Sequence, residues 1–381
     1  MKKKFFAFVA MATLLTAGFS SCSNEDVQGE AQAVKGAISF TAQQDGNAIA
    51  TRGYATTASN SATQITSFMT WAYDDTTDGL YMGTSATVGR TVTGSAATWT
   101  YTPVQFWPVN PLNFVAIAPA ADTSITGTST ASATNVVTLT TNVTLDTDVE
   151  DQKDIMFAEA DDIEKADDSG NVPFTFKHAL SQIVFKGKFD GTGAVTKATV
   201  AEISLCNVYK TGVLTFTSGG TFYGGATKIA AGNLSVPATF TLETADLETL
   251  ETNAGEYTLA SQSSTAFNMT VSENSTLKNA WFMLPQAVAA WDGTTVDGSG
   301  VPNDGGAYIK LRVKLEKDGV VIKDNQAADA IYLPLAISWD RSKKYIYTIE
   351  FNGANALTPI TFSVAAQDWT DADPQPGTVS F

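Results

Sequence analysis

The residues best suited to catalysis or metal binding are few, because the 381 residues include one histidine and two cysteines. A Ser-His-Asp triad would have to use His178, and no nucleophile motif such as G-x-S-x-G occurs near it in sequence. A zinc site built on histidine and cysteine lacks ligands. We therefore expect His178 to be a hydrogen-bonded structural residue, with a catalytic role as the alternative.

Motifs that mark common active sites are missing as well. The sequence holds no P-loop, no G-x-S-x-G and no H-E-x-x-H. These absences predict a protein that is not an enzyme, with no catalytic residue, no resident metal and no cofactor.

Cys22 follows a segment that is typical of export. Three lysines at positions 2–4 precede an apolar run over 5–15, which is too short to span a bilayer. The small residues before Cys22 resemble a bacterial lipobox, in which the thiol receives a diacylglyceryl group and cleavage leaves the cysteine first; Phe19 stands where leucine is usual. We expect a signal peptide over 1–21 and a lipid on Cys22. The alternative is an ordinary signal peptide with a chance cysteine.

Cys206 and two acidic clusters complete the chemical inventory. With Cys22 lipidated, Cys206 has no partner for an intramolecular bridge, and we expect it to be buried as a small hydrophobic residue. The clusters at 74–79 and 146–151 offer hard oxygen ligands of the kind that Ca²⁺ prefers. Neither has the full calcium-loop spacing with a glutamate at position 12, so solvated loops are the favoured interpretation.

Charge excludes one large class of partner. The formal net charge is −16 and the sequence pI is about 4.4, whereas binding to a phosphate backbone needs clustered lysine and arginine. We expect no nucleic acid partner. Hydrophobic residues reach 44%, which is enough for sizeable cores.

Apolar and polar residues alternate with period two along much of the chain. The pattern recurs at Ile38, Phe40 and Ala42, over 309–315 and 345–351, and at Ile360, Phe362 and Val364. Clusters of glycine, asparagine, aspartate and serine separate these runs. The sequence therefore predicts an all-β fold of packed antiparallel sheets.

A charged, turn-rich stretch over 160–171 suggests a domain boundary. It divides the chain into an N-terminal β-sandwich domain over 53–171 and a C-terminal one over 172–381. Residues 22–52 then form a lipidated N-terminal segment that contains the first strand.

Several segments in a fixed order resemble the fimbrillin family, the FimA/Mfa-like subunits of bacterial surface fimbriae. They are 51–52, 106–108, 112–119, 153–158, 174–185, 208–214, 281–285, 345–351 and Trp369. The resemblance implies two transthyretin-like β-sandwich domains in tandem, export as a lipoprotein and anchoring in the outer membrane at the cell surface. It also implies proteolytic maturation and polymerisation by strand exchange with other fimbrial subunits.

The resemblance gives Arg52 a role. In similar fimbrillins an arginine-specific protease cuts after such a residue, here between Arg52 and Gly53, and frees the strand that carries Ile38, Phe40 and Ala42. Loss of a strand leaves a slot with unpaired backbone groups, which a strand of the next subunit can fill. The alternative is a surface arginine in an ordinary loop.

The C-terminal run with Ile360, Phe362 and Val364 is the candidate donor strand, and the tail 377–381 is a shorter alternative. A tip, accessory or stalk position and a host or bacterial surface ligand stay open. The second functional hypothesis is a monomeric surface lipoprotein that binds glycan through exposed aromatic residues such as Trp71, Tyr73, Trp291 and Trp339.

Overall fold

The structure is a computed structural model that describes the following residues of the chain: 36–44, 65–95, 98–120, 130–133, 137–147, 152–165, 170–189, 197–218, 228–243, 267–268, 281–325, 330–351 and 361–368. The elements with described bounds are β-strands, apart from a 3-10 helix at Ala231–Asn233. No helix among these residues has the length and hydropathy of a membrane span. The predicted all-β fold is confirmed.

Eight strands form the first sheet. They are β1 (Ser39–Gln44), β2 (Ser67–Asp74), β3 (Leu80–Met82), β4 (Arg90–Ser95), β5 (Thr98–Thr100), β6 (Leu112–Ala118), β9 (Met156–Ile163) and β10 (Asn171–His178). Their order is β1-β10-β9-β6-β2-β4-β5, with β3 beside β2. The sheet curves so far that β1 contacts β5.

Most of the remaining strands form two further sheets. The seven-stranded sheet contains β7 (Thr130–Ala133), β8 (Val137–Thr144), β12 (Lys197–Thr217), β13 (Leu234–Glu243), β17 (Tyr308–Lys317), β18 (Val320–Asp324) and β19 (Ile331–Pro334). The five-stranded sheet contains β11 (Ser181–Phe189), β14 (Phe267–Asn268), β15 (Trp281–Met283), β21 (Lys343–Phe351) and β22 (Thr361–Asp368). The short strands β16 (Ala287–Val288) and β20 (Ile337–Ser338) pair with each other.

Two ladders among the described strands depart from the expected antiparallel pairing. β1 runs parallel to β10, and β11 runs parallel to β21. Each pair joins strands that are distant in sequence, so no hairpin turn fixes their relative direction. The other described ladders are antiparallel.

Period-two alternation produces the burial that the sequence predicts. In β21, Tyr345, Tyr347 and Ile349 are buried, and so is Phe351 at its end. In β17 the apolar residues are buried whereas Lys310 and its polar neighbours are partly exposed. One face of each strand therefore packs into a core while the other meets solvent or charged partners.

β6 differs from these strands because all seven of its residues are buried. Phe114 and Ala116 join a smaller cluster, which we call the N-terminal core, while Val115 and Ile117 join a larger one. The N-terminal core comprises Ile38, Phe40, Phe68, Ala72, Met82, Val92, Trp107, Leu112, Phe114, Ala116, Ala118, Met156, Ala158, Ala160, Val172, Phe174 and Phe176. A strand covered on both faces needs a continuous apolar run, as β6 has.

The longest strand, β12, is 21 residues long and pairs with three neighbours. β17 pairs with its residues 197–206, β8 with 211–217, and β13 with the middle of the strand at 202–212. A bulge interrupts the ladder with β13 at Asn207, which has a φ of 58°. Asparagine tolerates this left-handed conformation better than most residues.

Pairing and packing both cross the predicted boundary at 171/172. β10 pairs with β9 in the first sheet, and β8 pairs with β12. The larger cluster contains Trp71 and Phe157 from one side of the boundary together with Leu311 from the other. Because strands on the two sides of the boundary share a sheet and a core, the contacts do not mark a division there, and the division into 53–171 and 172–381 stays a prediction.

Candidate assembly site around the first strand

β1 carries the predicted removable strand and lies at one end of the first sheet. Its six residues pair in parallel with β10, from Ser39 opposite Asn171 to Gln44 opposite Phe176. The backbone N–H of Ser39 donates to the Gly170 carbonyl over 2.8 Å, and the Ser39 hydroxyl donates to the same oxygen over 2.8 Å. One side of β1 is therefore fully bonded.

The other side of β1 is paired at its start. The Ile38 N–H donates to the Gln105 carbonyl over 2.9 Å, and the Trp107 N–H donates to the Gly36 carbonyl over 3.2 Å. The hydroxyl of Tyr101, next to β5, donates to the Ile38 carbonyl over 2.8 Å. Residues 36–39 therefore bond to Gly170 on one side and to residues 105–107 on the other, and this pairing closes the curved sheet.

Phe40 is the most enclosed part of β1. Its ring is stacked on Phe174 with centroids 5.7 Å apart. Edge-to-face contacts join it to Phe68 at 5.5 Å, Tyr101 at 5.6 Å and Phe114 at 6.2 Å. Aromatic pairs in these arrangements contribute about 0.5–1.5 kcal/mol each beyond the area that they bury. Four rings from four parts of the chain therefore form a cage for one side chain of β1.

The faces of β1 are clearly divided. Ile38 and Phe40 are buried in the N-terminal core and Ala42 packs partly against it, whereas Ser39 and Thr41 are exposed. Removal of β1 would expose the apolar cage and unpaired backbone groups of β10. Such an edge is a template for another strand.

Gly170 permits this close pairing. Its φ is 89°, and a Cβ at this position would lie 3.3 Å from both the Ala37 carbonyl and the Trp107 indole nitrogen. A larger residue would be strained and would press on the start of β1. Gly170 and the four cage residues are functional candidates that sequence analysis missed. Phe174 stood in a visible alternating run, but no pattern linked it to β1.

The processing and lipidation residues lie outside the described part of the chain. Cys22, Arg52 and Gly53 are therefore not placed, and their roles stay predictions. The other three arginines are held in the fold. Arg90 donates to the Thr102 carbonyl over 2.9 Å, Arg312 pairs with Glu202 over 2.9 Å, and the buried Arg341 donates to the Thr215 carbonyl over 3.0 Å.

The candidate donor strand corresponds to β22, and Ile360 lies just outside the described residues. β22 pairs antiparallel with β21 of its own chain, with Phe362 opposite Ile349 and Val364 opposite Tyr347. Val364 is partly buried against the larger cluster. β22 ends the order of the five-stranded sheet among the described strands, so its pairing shown here is with one neighbour.

The aromatic residues that the glycan hypothesis needs on the surface are inside the protein. Trp71, Tyr73 and Trp339 lie in the larger cluster, and Trp291 packs with Tyr308 in a small separate one. Trp71 donates to the Ser85 carbonyl over 3.1 Å, and Trp339 donates to the Tyr347 hydroxyl over 2.7 Å. Their expected exposure is wrong, because burial satisfies both the apolar rings and their N–H groups.

His178 and Cys206 are both buried. The Nδ1 atom of the buried His178 lies 2.7 Å from the Oδ2 atom of Asp154, as a hydrogen-bonded structural histidine requires. Cys206 is buried beside Tyr308, and burial raises the pKa of its thiol. A raised thiol pKa lowers reactivity at neutral pH. The predicted hydrogen bond of His178 and the predicted burial of Cys206 are confirmed, whereas a purely structural role for His178 stays a prediction.

The acidic cluster at 74–79 forms a tight turn. The Asp74 carboxylate accepts hydrogen bonds from the N–H groups of Thr76 and Thr77 and from the Asn110 amide. The hydrogen bond from Asn110 is the main reason that the pKa of Asp74 lies below its usual value, and the bonds from the turn N–H groups lower it further. Burial has the opposite effect but is outweighed. The described residues contain no group of three or more histidine, cysteine, aspartate or glutamate side chains that could hold a metal ion. Part of the second cluster, at 146–151, lies outside them.

Comparison with known proteins gives a family match and similar solved structures. A family model described as fimbrillin-like matches residues 51–369. A fimbrial protein from Bacteroides vulgatus is 18% identical, with a TM-score of 0.57, and the match covers 88% of this chain and 99% of that chain. The tip fimbrial protein Mfa3 from Porphyromonas gingivalis is 12% identical, with a TM-score of 0.34, and the match covers 80% and 95% of the two chains.

Comparison with curated protein sequences gives no match. The Bacteroides vulgatus structure agrees with the fold described above over nearly the whole of its own length. The family model spans most of the present chain, including the segments on which the resemblance was based. The chain therefore belongs to the fimbrillin-like family.

Proposed function

We propose that this protein is a fimbrial subunit that is exported as a lipoprotein, cut after Arg52 and assembled by strand exchange. The observation that carries the proposal is the position of β1. It is a short, two-faced strand at the end of a sheet, and its apolar side chains fill a cage made by the rest of the chain. A strand of this kind can be replaced by another with the same pattern.

The sequence of β22 supports it as the replacement. Residues 38–42 read Ile-Ser-Phe-Thr-Ala, and residues 360–364 read Ile-Thr-Phe-Ser-Val. Isoleucine and phenylalanine recur at the same two positions, a hydroxyl residue stands after each, and a small apolar residue ends each run. Phe362 of a second copy would therefore enter the cage that holds Phe40.

The energies are compatible with a lasting joint. A strand of this length makes about six ladder hydrogen bonds, each worth roughly 0.5–1.5 kcal/mol net. Its two larger apolar side chains add about 1.5–3 kcal/mol each on burial. The cost of association and of detaching β22 from β21 offsets part of this sum.

The proposed function assigns roles to the lipid anchor, the cleavage site and the partners. The lipid on Cys22 holds the precursor in the outer membrane, and cleavage between Arg52 and Gly53 releases the subunit at the cell surface. Other fimbrial subunits and an arginine-specific protease are its partners, and its contribution to adhesion is through the fimbrium. Both tip or accessory and stalk positions are compatible with the proposal.

Proteolysis of a lipid-free chain that begins after Cys22, residues 23–381, tests the proposal. An arginine-specific protease should remove the segment that ends at Arg52 and yield multimers that native mass spectrometry resolves as a ladder. The matched Arg52→Lys chain should stay uncut and monomeric. Phe362→Ala should be cut normally but should not form the ladder. A cut wild-type chain that stays monomeric at high concentration would exclude assembly through β1.

A further inference from the structure

Three apolar side chains are exposed within six residues of one another, beside the start of β1. Val104 is 51% exposed, Phe106 is 55% exposed and Val109 is 81% exposed. We call these three residues the rim patch. Trp107, between them in sequence, points into the N-terminal core instead. Exposed apolar residues concentrated at one place commonly mark an interaction surface.

The rim patch is held in a fixed position against β1. Phe106 forms an antiparallel bridge with Ala37, and the flanking backbone bonds to Gly36 and Ile38 fix its register. The Tyr81 hydroxyl donates to the Phe106 carbonyl. Loss of β1 after cleavage would remove these bonds to 36–38, so the donor strand would have to restore them at the same place beside the rim patch.

Strand direction predicts what would cover the rim patch. Residues 360–364 match residues 38–42 in the same N-to-C direction, so a donor strand would run parallel to β10, as β1 does. Its first residue, Ile360, would then lie at the Ile38 end, next to Phe106. The chain that leads back to the donor's own fold would leave the site at this end.

The length of that connection keeps the two folds close together. In the donor, β21 ends at Phe351, and residues 352–360 connect it to β22. Nine residues span at most roughly 30 Å when fully extended. The end of β21 in the donor must therefore lie within about this distance of the Ile38 position, which is next to the rim patch.

We propose that the rim patch is an interaction surface for the folded body of a second copy of this chain, the copy that donates β22. This inference rests on the proposed function. The strand supplies the joint, and the rim patch adds a second contact that orients one subunit on the next.

Two measurements separate the rim patch from the strand joint. The first is the affinity of the arginine-cut protein for a synthetic peptide of residues 357–368, which carries the donor strand but no folded body. The second is the assembly of whole cut chains. The test variant replaces Val104, Phe106 and Val109 with serine. The matched control replaces Val320, Val321 and Ile322, three exposed apolar residues of β18, with serine.

The rim variant should bind the peptide within twofold of wild type, yet its assembly constant should weaken at least tenfold. The β18 control should match wild type in both measurements. Val109→Asp, at the most exposed position, repeats the test if the triple variant melts at a lower temperature. If the rim variants bind the peptide and also assemble as strongly as wild type, the inference is overturned and the proposed function stands. Failure of the wild-type protein to bind the peptide would overturn the proposed function and the inference together.

Discussion

β1 and β22 carry nearly the same sequence pattern but are held in very different ways. β1 is paired on one side by β10 and at its start by residues 105–107 on the other, and Phe40 is enclosed by four aromatic rings. β22 pairs with β21, and Val364 is only partly buried. The same kind of strand is therefore enclosed by aromatic rings at one end of the chain, whereas near the other end it is paired with β21 and half-buried at Val364.

This difference bears on the order of events in the proposed assembly. Release of β22 breaks its ladder with β21, whereas release of β1 breaks its ladder with β10 and also empties the aromatic cage, so β1 leaves only when something weakens its hold. Cleavage at Arg52 would do so, because it removes the covalent connection that keeps β1 at a high effective concentration beside its site. The chain would then be able to donate before it is able to accept.

The largest expected effect is on stability, when one apolar side chain of each strand is truncated to alanine. Phe40→Ala should lower the free energy of unfolding by about 3–5 kcal/mol, because it empties the aromatic cage. Val364→Ala should cost about 1 kcal/mol, because half-buried methyl groups lose less on removal. Urea unfolding followed by circular dichroism measures both. Equal losses would contradict the comparison.

Amide hydrogen exchange gives the second test. The N–H groups of Ile38 and Ser39 donate in opposite directions, to Gln105 and to Gly170, and both should be protected in the uncut chain. Amides of β22 should exchange at least about tenfold faster, which corresponds to 1.4 kcal/mol of opening free energy. Mass spectrometry of peptides that cover each strand measures the ratio. Slower exchange in β22 would reverse the predicted order of release.

Single hydrogen bonds on the two sides of β1 should have smaller effects. Tyr101→Phe removes the bond to the Ile38 carbonyl, and Ser39→Ala removes the side-chain bond to Gly170. Each should cost about 0.5–1.5 kcal/mol. In cut protein, each should also speed the exchange of β1 for the peptide 357–368, which a fluorescent label on the peptide would follow. A variant that slows this exchange would show that its bond does not hold β1.

The last effect is the pH dependence of stability that comes from Tyr345, which lies opposite Ala366 of β22. Burial, more than the nearby Asp340, raises the pKa of Tyr345 to about 12 from 10.0. A raised folded-state pKa contributes stability below pH 10, and this contribution is lost as pH rises from 10 to 12. Tyr345→Phe also loses its bond from the Asp340 N–H, so it should be less stable at pH 8. The gap between variant and wild type should narrow above pH 10 in thermal melts; a constant gap would contradict the assignment.

Local pattern alone predicted the strands whose faces differ in polarity. Alternation identified β17 and β21, and it located the first strand within a few residues of its observed bounds, Ser39–Gln44. The sequence also indicated that His178 and Cys206 are structural. In each case the residue and its immediate neighbours carry enough information, because side-chain period and burial are linked within one strand.

Long-range features could not be predicted in this way. The parallel pairing of β1 with β10 joins residues about 130 positions apart, and no turn chemistry encodes it. Tyr101 donates to the Ile38 carbonyl and Gly170 accepts from Ser39, but neither residue type indicates a partner so distant in sequence. Trp71 was expected outside in one hypothesis, but its strand β2 is covered on both faces. Arg52 and Cys22 are still known only from sequence.

The 21-residue strand β12 has a mechanical consequence. β17 and β8 pair with its first and last parts, and β13 pairs with its middle at 202–212. A pull along the strand axis would load many backbone bonds in shear at once, whereas a pull across it would open them one after another. Tension applied to the two ends of β12 should therefore meet high resistance, which single-molecule stretching in the two directions can compare.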